Sequence, residues 1–516
     1  MNRRLFLTGA ASAGAVAALP TLSSAVTVQS EGAINVVERF GFVPDGRADN
    51  YAAFHRLADF ASRQRGGRFH FPPGDYAVRQ FRVMPWGTRD PQAVRNVEFL
   101  DAEGLTLSGY GARILINGRF HRSGRPGRDG LTEGVHFSTF MPFEIRRSRN
   151  IVIEGFEMDG GVRDMTRDQN VTEGYAHLIA LSACTNVILK DLDLHHGQVD
   201  GILLTDIVDL HARLPGRACR NVQLRNVKCR HNGRGGLAPL QVLGLDAENC
   251  DFSGNGFPEG RYGGHMPGFG IDIEPDRIDV GVDVDTKTGD LEFRRCTMFD
   301  NASAILAAYV GSFTGYCRFI DCDTRNGNNQ PNHIIATWPG EGLLIQGGQH
   351  DAGPGCIWLS WQGQNGGKSR WRGATIRSSH AHGLMHGFGN NLTEVEDCEI
   401  IGTHRTAETG HFIFFGQDPG GGRRNIFRNN RVFIPAARKE PSTLFDYEPN
   451  FNNTDLEGNS YRTDLAVPGQ YFVRAYSPET CSVRNERFQG AFPGTQDTFR
   501  PLGSEAHDTR LPYSDV

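Results

Sequence analysis

From Pro142 onward, apolar and polar residues alternate in short runs broken by polar turns. Phe143 and Ile145 alternate with Glu144 and Arg146, and Ile151 and Ile153 with Val152 and Glu154. The segments that start at Pro142, Cys184, Cys219, Leu245 and Leu291 share one order. Each has an alternating strand, a turn often holding Asn or Asp, a second strand, then Gly and a third strand. Similar units recur to about Phe433. A period of two with frequent punctuation predicts strands, not helices. Units at this spacing are too thin to bury an apolar face alone, so they predict a solenoid of stacked coils. Residues 50–62 are the exception. There Phe54, Leu57 and Ala61 recur at helical spacing, and Asp49 or Asn50 stands where an N-cap belongs. An open solenoid end exposes core and unpaired strand edge, so this helix is expected to cap it. Past Phe433 the rhythm fades, and the last ~70 residues are expected to form an end cap and an extended tail.

Composition supports an ordered chain. The protein has 516 residues, 64 of them Gly and 38% hydrophobic, with the glycines spread over separate turns. The first 25 residues stand apart: Arg3 and Arg4 precede an apolar Ala/Gly-rich stretch that ends in small residues at Ser23 and Ala25. This pattern predicts a signal peptide, resembling the twin-arginine type in Asn2–Thr8, with an ordinary secretory signal as the alternative. Either places the protein in the periplasm or outside a bacterial cell. Removing Arg3 and Arg4 with the signal takes the formal charge from −5 to −7, which argues against general nucleic-acid binding. No later stretch reaches the roughly 18 apolar residues of a membrane span. The ten cysteines include Cys229, Cys250, Cys296, Cys317, Cys322 and Cys398 within strand-like units. That placement favours free, buried thiols over disulfides, and there is no CxxC pair.

Residues 40–78 carry a denser signal, FGFVPDGRADNYAAFHRLADFASRQRGGRFHFPPGDYAV. A Gly/Asp turn leads to the helix, a Gly-Gly break, a strand and a Pro-Pro-Gly turn. With the coils that follow, it resembles the pectate lyase-like superfamily of right-handed parallel β-helices, in the pattern of the rhamnogalacturonase and epimerase branch. The resemblance covers most of residues 34–435. It implies an all-β, right-handed parallel β-helix with a short N-terminal capping helix. The expected domains are a signal at 1–25, the β-helix at 26–435, and C-terminal coils, cap and tail at 436–516. The activity it implies is on a polysaccharide, by hydrolysis, β-elimination or epimerisation. The superfamily also holds phage tailspikes, so a non-catalytic binding or structural role is the alternative, with a monomer or a tailspike-like trimer. The Asp-Asp pair and Arg-x-Lys of polygalacturonases and the Trp-x-Asp-His of pectate lyases are absent, so no catalytic residue carries over.

Candidate chemistry is therefore read from strand alternation. In Gly268–Asp276, if Ile271 and Ile273 point into the core, Asp272 and Glu274 point out together, ~6.6 Å apart. That separation suits an inverting glycosidase, with one acid protonating the leaving oxygen and the other activating water. Six acidic residues fall between Asp272 and Asp285 against Arg277 alone. A Ca²⁺ site including Asp276 that neutralises a uronate is the competing use of this segment. A second candidate, His195-His196-Gly197-Gln198-Val199-Asp200-Gly201, lies one or two coils earlier, close enough to reach the same groove. His196 and Asp200 are candidate catalytic groups there. His195, His265 and Arg277 are candidate substrate contacts or, in a lyase, a base. Alternation from Ile357 points Trp358 outward, where it can stack on a sugar ring. The conclusion from sequence is an exported enzyme that cleaves a uronate-containing polysaccharide in an outward groove, by hydrolysis or β-elimination.

Overall fold

In a computed structural model, the alternating runs become the walls of a right-handed parallel β-helix. The structure describes residues 32–79, 82–85, 97–117, 121–126, 132–139, 141–164, 166–167, 176–205, 217–256, 264, 268–273, 288–302, 305–307, 313–326, 332–336, 342–353, 356–358, 367–379, 384–386, 392–402, 413–415, 422–434, 450–451, 453–463, 473–475, 482–489 and 499–501. Among these, the coils form parallel sheets of 18, 14 and 8 strands, the 18-stranded sheet running round a corner where the long strand Thr185–His195 pairs with both Arg149–Glu154 and Glu157–Asp159. Each coil contributes in turn to the walls. Val152 pairs with Ile188, Ile188 with Gln223, Gln223 with Asp246 and Asp246 with Glu292, all in parallel register. The inward neighbours form a second column: Ile153, Leu189, Leu224, Ala247, Phe293 and Phe319 stack one above another. All six are buried in the hydrophobic core. Phe293 and Phe319 are stacked face to face with centroids 4.7 Å apart, the spacing of adjacent strands. Each Ile, Leu or Phe side chain in this column gains about 1.5–3 kcal/mol by leaving water.

The turns explain the Asn-rich punctuation. Asn150, Asn186 and Asn221 all adopt left-handed backbone, φ 58°, 56° and 53°, a conformation Asn tolerates well. Their carboxamides stack on the outside: Asn186 Nδ2 donates to Asn150 Oδ1 (3.0 Å) and Asn221 Nδ2 to Asn186 Oδ1 (3.1 Å). A second amide ladder, Asn232–Asn255–Asn301, runs inside the helix at a corner. Each side chain accepts from the backbone N–H of the preceding member. Coil length varies, since these stacked members are 23 and 46 residues apart.

At the N-terminus, α1 (Val36–Phe40) and α2 (Tyr51–Gln64) cover the first coil, as expected of a cap. Phe54 enters a ring cluster with Phe42 (4.9 Å) and Phe143 (6.4 Å). Asp49 caps α2 by accepting from Tyr51 N, while the Asn50 carboxamide instead ties Val43 to Ala77. Gly66, at the Gly-Gly break, has φ 132°, and a Cβ there would lie 2.1 Å from Glu103 O.

Two features of the fold go beyond the sequence reading. Strands at Thr454–Glu457, Ser482–Arg484 and Phe499–Pro501 extend the ladders, so coils continue past the point where the rhythm fades. Strands of three or four residues are too short to show alternation. A four-stranded sheet of Arg82–Pro85, His121–Pro126, Thr132–Thr139 and Thr166–Arg167 departs from the coils. The eight cysteines with described side chains are buried and free. Among the described residues, no helix is long and apolar enough to cross a membrane.

Candidate active site

The 14-stranded wall brings two predicted residues together. Asp200 opens the strand Asp200–Thr205, and Asp272 is central in Ile271–Ile273. Ile271 and Ile273 lie in the core, so alternation puts Asp272 on the wall's outer side, as expected. Arg234, just before the intervening strand Gly235–Pro239, bridges both carboxylates. Its Nη1 lies 3.2 Å from Asp200 Oδ2 and its Nη2 donates to Asp272 Oδ2 at 2.8 Å. His177, leading into Ile179–Ser182, places Nδ1 3.2 Å from Asp200 Oδ2. Four groups from four successive coils thus form one buried His–Asp–Arg–Asp array.

The sequence led us to expect an open groove here. Instead Asp200 is 1% and Asp272 2% exposed, and His177 2%. The reason is that this wall's outer face is itself covered. Met141, Ala180, Leu203 and Ala238 form a small apolar cluster there, and register places Ala180, Leu203, Ala238 and Asp272 in one column. The column continues through positions 306 and 335 to 358, three steps or about 14 Å beyond Asp272. Trp358 therefore shares the column of Asp272, although its side chain is outside the described set. Also outside it are Glu274, Asp276, Arg277 and His265, together with residues 1–31 and hence the signal segment.

His195 and His196 belong to a neighbouring group at the corner before Asp200. His195 ends the strand Thr185–His195, beside Asp159 at the end of Glu157–Asp159. His196 turns the chain with φ 54°. A Cβ at Gly160 would lie 2.6 Å from His196 O, so only glycine lets the two coils approach this closely. His195 Nδ1 and His196 Nδ1 are 2.7 Å apart, and His195 Nε2 is 3.4 Å from Glu157 Oε1. The His196 ring stacks on His231 at 5.6 Å. Burial, then the Arg163 guanidinium and the His195 ring, hold the His196 pKa down at about 4, with Asp159 pulling the other way. One ligand atom each from Asp159, His195 and His196 lies within 4.8 Å of the others.

The sequence reading missed His177, Arg234, Asp159 and Glu157. Their signal was positional: GFEMDGG and DLDLHHG end the same strand of successive coils, which aligns Asp159 with His195. Arg234 and Asp200 sit one residue apart in register, but insertions of unequal length hide that alignment.

No family model matches the chain, and no curated protein matches it. Among solved structures it is similar to a surface adhesin of Streptococcus pneumoniae, PfbA, at 13% identity, covering 87% of this chain and 93% of that one (TM-score 0.44). It is also similar to the A-module of the Azotobacter vinelandii mannuronan C-5 epimerase AlgE6, at 13% identity over 88% and 99% (TM-score 0.34). A tailspike protein of E. coli bacteriophage HK620 in complex with pentasaccharide matches at 10% identity over 88% and 78% (TM-score 0.44). These likenesses carry no residue-level correspondence. The strand ladders themselves make this chain a right-handed parallel β-helix, the fold that the N-terminal signature implied.

Proposed function

We propose that the protein is an exported enzyme that cleaves glycosidic bonds of a uronate-containing polysaccharide, with the His177–Asp200–Arg234–Asp272 array as its reaction centre. The observation that carries the reading is one guanidinium shared by two almost fully buried carboxylates from separate coils. Burying charges costs several kcal/mol per ion, and apolar residues of similar volume would serve folding as well. In a hydrolytic reaction, Asp272, the carboxylate nearer the guanidinium, activates water. Asp200, in contact with His177, passes the proton to the leaving oxygen. The His177–Asp200 contact also supplies an oriented base, which is what β-elimination needs. Glu274 remains a candidate catalytic carboxylate and Arg277 and His265 candidate substrate contacts on the segment around Asp272, with Asp276 as a candidate Ca²⁺ ligand and Trp358 as a sugar platform along the same column.

A second reading, non-catalytic polysaccharide binding, rests on a different wall. An open groove of about 880 Å³ crosses the 18-stranded sheet, lined by Asn150, Asn186, Asn221, Glu292, Tyr316 and Arg318 among others. Carboxamides and an aromatic ring suit sugar hydroxyls and faces.

The test is to incubate the protein with acidic polysaccharides, with and without Ca²⁺, following new reducing ends and the ultraviolet absorbance of unsaturated uronate. Reducing ends without absorbance are expected for the hydrolase, and both signals for a lyase. Asp272→Asn with an unchanged circular dichroism spectrum should lose at least 100-fold in turnover. Full turnover in that variant would remove the array from consideration. Binding without either product would favour the groove.

A further inference from the structure

The corner that holds His195 and His196 has the features of a metal centre independent of the Asp200–Asp272 array. We infer that Asp159, His195 and His196 form a site for a zinc-type divalent cation. Three observations converge on it. First, the donor atoms already meet: the two Nδ1 atoms are 2.7 Å apart, and one atom from each of the three residues lies within 4.8 Å of the others. Ligands at 2.0–2.1 Å around a tetrahedral ion sit about 3.3 Å apart, so the rings need to separate by only about 0.6 Å. Second, an outer partner is present. Glu157 Oε1 faces His195 Nε2 at 3.4 Å, which keeps the ring proton on Nε2 and leaves the Nδ1 lone pair for the ion. A carboxylate behind a ligating histidine is the usual outer arrangement of such sites. Third, the backbone is built to bring them together. His196 takes left-handed backbone and Gly160 permits close approach of the two coils, which turns both imidazoles to the same point.

Donor chemistry selects the ion. Two imidazoles and one carboxylate suit Zn²⁺, Co²⁺, Ni²⁺ or Cu²⁺, whereas Ca²⁺ and Mg²⁺ require oxygen shells. Asp159 keeps capacity for a metal bond. Its Oδ1 accepts from Gly161 N (2.9 Å) and its Oδ2 from Arg163 Nη2 (2.7 Å), one lone pair each. Arg163 is 44% exposed, so its charge is partly carried by water. With the ring protons on Nε2, both Nδ1 lone pairs would face the ion. Three protein ligands leave a fourth position for water or a substrate oxygen.

The probes are Co²⁺ and Zn²⁺ alone, added to untagged, chelator-treated full-length protein. Co²⁺ is followed by its visible absorption and Zn²⁺ by displacement of Co²⁺. One equivalent of Co²⁺ with the intense bands of a low-coordinate site, displaced by Zn²⁺ and not by equal Ca²⁺, is the expected result. His195→Ala and His196→Ala should each weaken binding at least 100-fold. Glu157→Gln, a conservative change at a partly exposed side chain, should weaken it about 10-fold. Absence of a tight equivalent, displacement by Ca²⁺, or unchanged binding in the His195→Ala/His196→Ala double variant would overturn the inference. Because the readout is metal binding, it stands or falls separately from the cleavage assay.

Discussion

A Cβ placed on Gly235 would lie 2.8 Å from Asp200 Oδ1 and 3.3 Å from Phe269 O. Gly235 is therefore a space requirement of the array, not a turn residue. Asp200 has little room to yield, because Arg234 and His177 hold its other oxygen. Gly235→Ala should shift the Asp200 carboxylate and reduce turnover about 10-fold or more, while the unfolding midpoint moves by the equivalent of about 1 kcal/mol. Wild-type turnover in this variant would mean that Asp200 does not need its observed position. At this scale the sequence was informative about Asp272, because strand alternation assigns it a face, and it drew attention to Asp200 only through its place after the His195-His196 pair. It was silent on Arg234 and His177, whose meaning depends on which coil lies next to which.

The inner asparagine ladder shows what an element contributes. Asn255 Oδ1 accepts from Asn232 N (3.0 Å), and its Nδ2 donates to Cys229 O (3.1 Å) and Asn301 Oδ1 (3.0 Å). Asn232, Asn255 and Asn301 are all at most 2% exposed. Asn255→Ala strands several buried polar groups at once, each worth about 1–3 kcal/mol when unmet. The urea midpoint should fall by the equivalent of about 3 kcal/mol, whereas Gln223→Ala on the outer face should change it by less than about 0.5 kcal/mol. Equal effects of the two would deny the ladder a structural role. On the outside, charge serves register. Lys190 pairs with Glu154 (2.9 Å), and Arg428 with Glu396 (3.2 Å) and with Glu457 (3.3 Å), so that Glu396, Arg428 and Glu457 alternate in sign along the axis. Each exposed pair adds little stability, but a slipped coil would oppose like charges.

Across the whole molecule, two buried groups on distant coils give opposite pH dependences. His350 packs on the Trp371 ring (5.3 Å), and burial lowers its pKa from 6.5 to about 4. The unfolded chain takes up that proton first, so the stability due to neutral His350 is complete above 6.5 and lost as pH falls toward 4. Glu486 ends a ladder by accepting from Asn459 N (3.1 Å), and burial raises its pKa from 4.5 to about 7. Its contribution is complete below 4.5 and lost as pH rises through 7. Between 4.5 and 6.5 the two slopes oppose. Glu486→Gln should make the melting temperature rise with pH over 4–6.5 more steeply than in the parent, and His350→Gln should make it fall over 4.5–7. Parallel profiles for all three proteins would show that neither group titrates as described. The alternation of apolar and polar residues, the Asn and Gly turns and the amphipathic helix determined the coil, its parallel walls and its N-terminal cap, because each is set by neighbours within a few residues. Only the tertiary structure decided that Asp200 and Asp272 share Arg234, that this wall is covered, and that Asp159 meets His195 and His196. Those contacts depend on stacking register across coils of unequal length, and register is a property of the assembled helix.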